Sequence, residues 1–334
     1  MALPMSLPSD SPPFDAYVTG CLFDAGGQAV FALGDGQVIW EGGARQAAHD
    51  GAVLAAVRHP TAPGVITGGD DGRLVWSRPD GVQILAEIKG RWIESLAAQP
   101  GASLLAFGAG REARVVDLAD AKFSRVFAHE RSVADVALDA RARRLAVATY
   151  GGAALWYARI ADQQPVMLRW AGSHIGVTFS PDGKFLMSAM QENALHGWRL
   201  SDARDMRMGG YPAKVRSLAF LSGGKMLATA GAPGVVIWPF AGADGPMGKQ
   251  AMEIGFDETS LVTRVAARDD GAWLAAGLSD GRVWISDVAG GRRAEIKAEP
   301  GPPITALALD GQRVAWGDED GGAGVTDIPF DAMG

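Results

Sequence analysis

The chain has 334 residues, 48% of them hydrophobic and 21% charged, with 45 glycines and a formal net charge of −7. An acidic balance of this kind excludes a broad basic face for nucleic acid or anionic lipid. Glycine at this level, without a Gly-X-Y period or a low-complexity tract, points to many tight turns. Cys21 is the only cysteine, so no internal disulfide forms, which fits a reducing compartment. Met1 to Pro13, MALPMSLPSDSPP, carry neither a basic n-region nor an apolar h-region. No apolar run approaches the roughly 18 residues of a membrane span, so a cytoplasmic location is expected.

Taken in chain order, one pattern recurs. An apolar run, a turn, a second apolar run, a small-residue turn and a third run ending near Trp follow each other about every forty residues. The first unit turns at Asp24-Ala25-Gly26-Gly27 and Gly34-Asp35-Gly36 and closes on Trp40. The second turns at Asp70-Asp71-Gly72 and closes on Trp76; the third closes on Val116. The fourth contains Leu145-Ala146-Val147-Ala148 and closes on Trp156. The fifth reads most fully. Gly176 to Phe179 is a strand and Ser180-Pro181-Asp182-Gly183 a turn, with Pro presetting φ and Gly accepting a positive one. Phe185 to Ala189, Leu195 to Leu200 and Asp205 to Met208 follow as strands. The sixth has Met226-Leu227-Ala228-Thr229, closes on Trp238, and is interrupted at Ala241 to Gln250 by a loop before its outer strand. The seventh and eighth turn at Ser279-Asp280-Gly281 and Asp320-Gly321-Gly322 and close on Ser286 and Thr326.

Four short strands per unit and a forty-residue period are the mark of a β-propeller, since one unit cannot bury both its faces and must stack. The expected fold class is all-β: a single closed β-propeller of four-stranded blades, eight blades favoured over seven. It would occupy 14–330, with 1–13 as a tail. The eighth unit runs out before its outer strand, so the ring is expected to borrow a strand from Pro8 to Tyr17, although that segment is rich in proline.

The pattern resembles the WD40 repeat family over residues 14 to 328. The family's blades often carry a hydrogen-bonded set of His, Ser or Thr, Asp and Trp. His49, Thr67, Asp71 and Trp76 match it in the second unit. His129, Thr149 and Trp156 match in part, as do His174, Ser188 and Trp198; in the sixth unit Thr229 and Trp238 are kept, with Lys214 near the His position. No Trp-Asp dipeptide occurs, which makes the chain a divergent member.

Chemistry is harder to find. Equivalent places in separate repeats give His49, His129 and His174 a structural role. His59 and His196 lack partners at metal-ligand spacing, and no CxxC, HExxH or Gly-x-Ser-x-Gly pattern occurs. Cys21 reads as a small buried hydrophobe. Neither a catalytic residue, a metal site nor a cofactor is expected. Trp92 is not explained by the repeat. It stands in Lys89-Gly90-Arg91-Trp92, in a loop leading into a first strand, on the rim expected to carry Arg131, Tyr211 and Lys214 as well. Aromatic and Arg groups of this kind make interaction hot spots. Asp35, Asp70, Asp71, Glu112, Glu192, Asp280, Asp318, Glu319 and Asp320 fall on the same rim, many of them as turn formers. The expected function is a non-catalytic, monomeric scaffold that presents this rim to protein partners, with neither nucleic acid nor membrane among them. The alternative is a propeller hydrolase, lactonase or small-ligand binder working through its central channel.

Overall fold

Short apolar runs set between glycine turns have only one economical way to satisfy their backbone, the antiparallel hairpin, and the chain takes it throughout. A computed structural model describes residues 14–268, 271–289 and 291–328. Its first sheet is Val18–Phe23, Ala29–Leu33, Gln37–Trp40 and Arg45–Ala47, in chain order from the inside outward. The later sheets repeat this meander, with inner strands Val53–Arg58, Ile93–Ala98, Asp135–Leu138, Leu218–Leu221, Val262–Ala267 and Ile304–Asp310.

Among the described residues the strands make seven sheets, which corrects the expectation of eight four-stranded blades. Five sheets have four strands, one has six and the last has three. The six-stranded sheet joins the fourth and fifth sequence units through two strands of 14 residues, Arg144–Tyr157 and Val166–Phe179. The first doubles back at Gly151 and Gly152, both at positive φ, so that the Ala158 N–H donates to the Arg143 carbonyl. The second pairs with Tyr150 to Leu155 through its first half and with Leu186 to Met190 through its second. The periodicity marks strand positions correctly but cannot show that the chain passes from one unit to the next within a single strand.

No sheet closes on itself. The inner strands pass contacts from Val18–Phe23 through Val53–Arg58, Ile93–Ala98 and Asp135–Leu138 to Val166–Phe179, then from Leu218–Leu221 through Val262–Ala267 and Ile304–Asp310 back to Val18–Phe23. Met187, Leu195, Met208, Tyr211 and Leu227 pack together across the junction of the fourth and fifth sheets. The last sheet meets the first through the Arg313 guanidinium, which holds both Glu41 carboxylate oxygens at 3.0 Å and also donates to the Gly27 carbonyl. Among the described residues the last sheet gains no fourth strand; the part of the proposed closing segment before Phe14, with the whole 1–13 tail, lies outside them.

Two devices set the spacing between sheets. A glycine on a second strand leaves room for a residue at or just before the start of the next inner strand: Gly68 under Ile93, Gly108 under Val133, Gly277 under Ile304 and Gly317 under Val18. Any Cβ at these glycines would overlap its neighbour. Side chains on the channel side then bind neighbouring inner strands. Thr305 donates to the Val18 carbonyl at 2.6 Å and Thr263 to the Ile304 carbonyl at 2.7 Å. The Ser217 hydroxyl both donates to the Val265 carbonyl and accepts its N–H. Asp135 fills the same role with a carboxylate, accepting the Val177 N–H at 2.8 Å. Between the sheets, side chains such as Ile66, Leu105 and Phe107 are fully buried, each contributing about 1.5–3 kcal/mol.

Candidate functional site

Loops that lead into inner strands and turns that join second to third strands hydrogen-bond to one another. His49 donates its backbone N–H to the Gly36 carbonyl, Ile88 to Gly72, Val133 to Gly110, Ala213 to Gly231 and Gly301 to Asp280. These segments therefore share one face of the ring, and the sequence-expected rim residues all sit on them.

The structure divides those residues. Trp92 is 60% exposed, so it is not wedged between sheets. Arg91 beside it is exposed, and its aliphatic stem lies against Gly110. Arg131 is exposed on the next lead-in loop, which is fastened by the Val133 N–H to the same Gly110. Neither Arg91 nor Arg131 has a carboxylate at ion-pair distance among the described residues. Two neighbours that sequence reasoning missed extend this sector. Arg111 is exposed in the turn under Arg91, and Tyr150, 64% exposed, caps the hairpin of Arg144–Tyr157. The signal for Tyr150 was present as an aromatic before Gly151-Gly152, in a turn with no need of one.

Tyr211 is corrected from rim to core, with 7% exposure. Its hydroxyl lies 2.7 Å from the Thr229 hydroxyl and accepts the Trp238 indole N–H at 2.7 Å. Tyr211 thus occupies the place where the second unit has His49, and Lys214 does not. Lys214 is half-buried and lines a cavity of about 970 Å³ at the mouth of the central channel.

The structural histidine sets differ from unit to unit. His49 Nε2 lies 2.8 Å from the Thr67 hydroxyl and Nδ1 3.0 Å from Asp71. Burial works to raise the Asp71 pKa, but N–H groups of Arg73, His49 and Asp50 outweigh it and hold the carboxyl below its ordinary value. Trp76 stands outside the set. Its indole donates to the Pro63 carbonyl and its ring packs on His59, 4.6 Å between centroids. His174 bridges the Ser188 hydroxyl at 2.7 Å and the Trp170 carbonyl at 3.1 Å. In the fourth unit the set is absent: Thr149 donates to the Tyr150 carbonyl, and His129 Nε2 is buried without a partner.

His196 is enclosed, stacked on Trp170 at 4.0 Å, and burial pushes its pKa down to about 4, so it is neutral at physiological pH. Most rim acids act locally. Asp35 caps Gln37, Glu112 pairs with Arg114, Asp280 with Arg282, and Asp318 accepts the N–H groups of Asp320 and Gly322. Glu319 and Asp320 instead line the same channel-mouth cavity as Lys214 and make no ion pair with it. Among the described residues no three His, Cys, Asp or Glu converge as metal ligands, and no helix is long and apolar enough to cross a membrane.

No protein-family model matches the chain, and no curated protein matches its sequence. Solved structures do share its fold. The crystal structure of the computationally designed Ika8 protein superposes with a TM-score of 0.75 at 17% identity, covering 94% of this chain and 97% of that one. The Cps50 (Swd1) β-propeller domain of Myceliophteria thermophila superposes with a TM-score of 0.61 at 16% identity, covering 79% of this chain and 93% of that one. At these identities the likeness speaks for architecture alone, and with the ring of sheets it makes this chain a β-propeller.

Proposed function

We propose that the chain is a divergent WD40-type propeller serving as a non-catalytic scaffold in the cytoplasm, and that it binds a protein partner through Arg91, Trp92 and Arg131. The observation that carries this reading is Trp92, a large exposed aromatic flanked by arginines without counter-charges. An exposed indole buries much area at low ordering cost, and guanidinium groups beside it add directional hydrogen bonds, the usual composition of a hot spot. The repeat pattern supports the family reading, and the His49–Thr67–Asp71 set supports it within one unit. The surrounding acids are mostly committed to turns and ion pairs, leaving the Arg-Trp sector as the distinctive part of the face.

The test is affinity purification of the tagged protein beside a variant with Arg91→Ala, Trp92→Ala and Arg131→Ala, followed by titration of each captured protein in purified form. A partner bound by the wild type and weakened at least tenfold by the variant is expected. Equal affinity for both, with the variant folded, would overturn the assignment of the site. Tyr211 is left unchanged, because its loss would act through the core.

A further inference from the structure

The face that carries Trp92 also holds, at the fifth to seventh sheets, a second arrangement. Its cavity is walled by the lead-in loop with Lys214 and Arg216 and by the first residues of Val262–Ala267, Arg264 among them. Arg264 is partly buried and spends one guanidinium N–H on the Thr263 carbonyl at 2.9 Å. Neither Arg264 nor Arg216 has a carboxylate within ion-pair distance among the described residues. Glu319 and Asp320 line the same cavity but make no ion pair with either arginine.

A guanidinium cannot relieve such a position by losing its proton. Burial, and the nearness of the Arg216 charge, both lower the Arg264 pKa without neutralising it. Several neighbouring polar groups of the lining are already engaged. The Thr263 and Thr305 hydroxyls donate to the Ile304 and Val18 carbonyls, and Asn193 donates to the Pro212 carbonyl. What remains is a concave pocket with two guanidinium forks and an ammonium facing inward and most of their N–H groups unspent. Paired forks of this kind match oxygen pairs on phosphate or carboxylate. The two acids that share the cavity disfavour a long polyanion, so the fitting ligand is small.

We propose that Arg216 and Arg264, assisted by Lys214, form a binding site for a small oxyanion, a phosphate or carboxylate group of a low-molecular-weight ligand, at the mouth of the channel. The bound anion supplies the counter-charge that the fold withholds from Arg264. It also ties the fifth sheet to the sixth, since Arg216 precedes Leu218–Leu221 and Arg264 lies on Val262–Ala267.

The experiment is thermal unfolding and calorimetric titration with inorganic phosphate and, separately, malonate, at constant ionic strength set by chloride. The wild type should show saturable binding and a rise in Tm that follows ligand occupancy. Arg264→Gln and Arg216→Gln should each reduce that affinity at least tenfold. The tighter of the two anions identifies the class. Arg216 is exposed, so its variant keeps the test sound should Arg264→Gln fail to fold. Absence of saturable binding for both anions, or equal binding by wild type and Arg216→Gln, would overturn the proposal.

Discussion

The Tyr211 hydroxyl sits 2.7 Å from the Thr229 hydroxyl, joining a lead-in loop to the second strand of its own sheet. The Trp238 indole completes the group, and the Thr229 hydroxyl also reaches the Val236 carbonyl at 3.0 Å. Tyr211→Phe keeps the ring and removes only the oxygen, leaving the partly buried Trp238 N–H without its acceptor. The expected cost is about 1–3 kcal/mol, read as a lowered urea midpoint with an unchanged slope. A cost indistinguishable from zero would show the group to be without structural weight.

Gly72 fixes the loop that carries Arg91 and Trp92. It lies at φ +78, and a Cβ there would collide with the Ile88 and Arg91 carbonyl oxygens. Gly72→Ala is expected to destabilise by about 1–3 kcal/mol and to weaken partner binding. Trp92→Ala, which touches only the exposed surface, should stay within about 0.5 kcal/mol of wild type while weakening binding more. Equal binding losses at equal stability would detach the loop from the site.

Asp135 gives the fold a definite pH dependence. Burial pushes its carboxyl up to about 7, against two backbone N–H groups that favour the ionised form. Below its unfolded value of about 3.9 the group is protonated in both states and costs nothing. As pH rises towards 7 the unfolded chain ionises first and the folded state loses stability; above that point the loss is complete. Asp135→Asn should therefore be more stable than wild type at about pH 8, with a margin that vanishes near pH 4. Urea midpoints across that range test it, and a margin independent of pH would refute it.

Burial raises the Cys21 thiol well above its ordinary value, more than the nearby Arg264 lowers it, and its sulfur points at the Ala315 carbonyl, 3.4 Å away. The thiolate is the reactive species, so Cys21 should label slowly with a disulfide reagent in the native protein. In denaturant it should label at the rate of a free cysteine. Fast labelling of the folded chain would contradict this burial.

Much of the architecture was legible because turns announce themselves chemically. Ser180-Pro181-Asp182-Gly183 and Asp70-Asp71-Gly72 place their glycines at positive φ as their residues require. Blade count was less legible, since Val166–Phe179 contains no proline to end a strand, and of its two glycines, Gly172 and Gly176, only Gly172 takes a positive φ. At the site, His49 was readable from spacing alone. Tyr211 was not: a tyrosine beside a proline suits a rim as well as a core, and only the third dimension brings Thr229 and Trp238 to its hydroxyl. Arg216 and Arg264 stand 48 residues apart, a separation that carries no pattern.

Val166–Phe179 starts at the perimeter of the ring and finishes beside the channel. Elsewhere a loop outside any strand carries the chain from one sheet to the next. Here one unbroken strand, paired with each sheet in turn, acts as a spoke, so strain applied at the hub is felt at the circumference. Amide exchange should accordingly report this sector as one cooperative block, the slowest part of the molecule to open, around which the other sheets breathe.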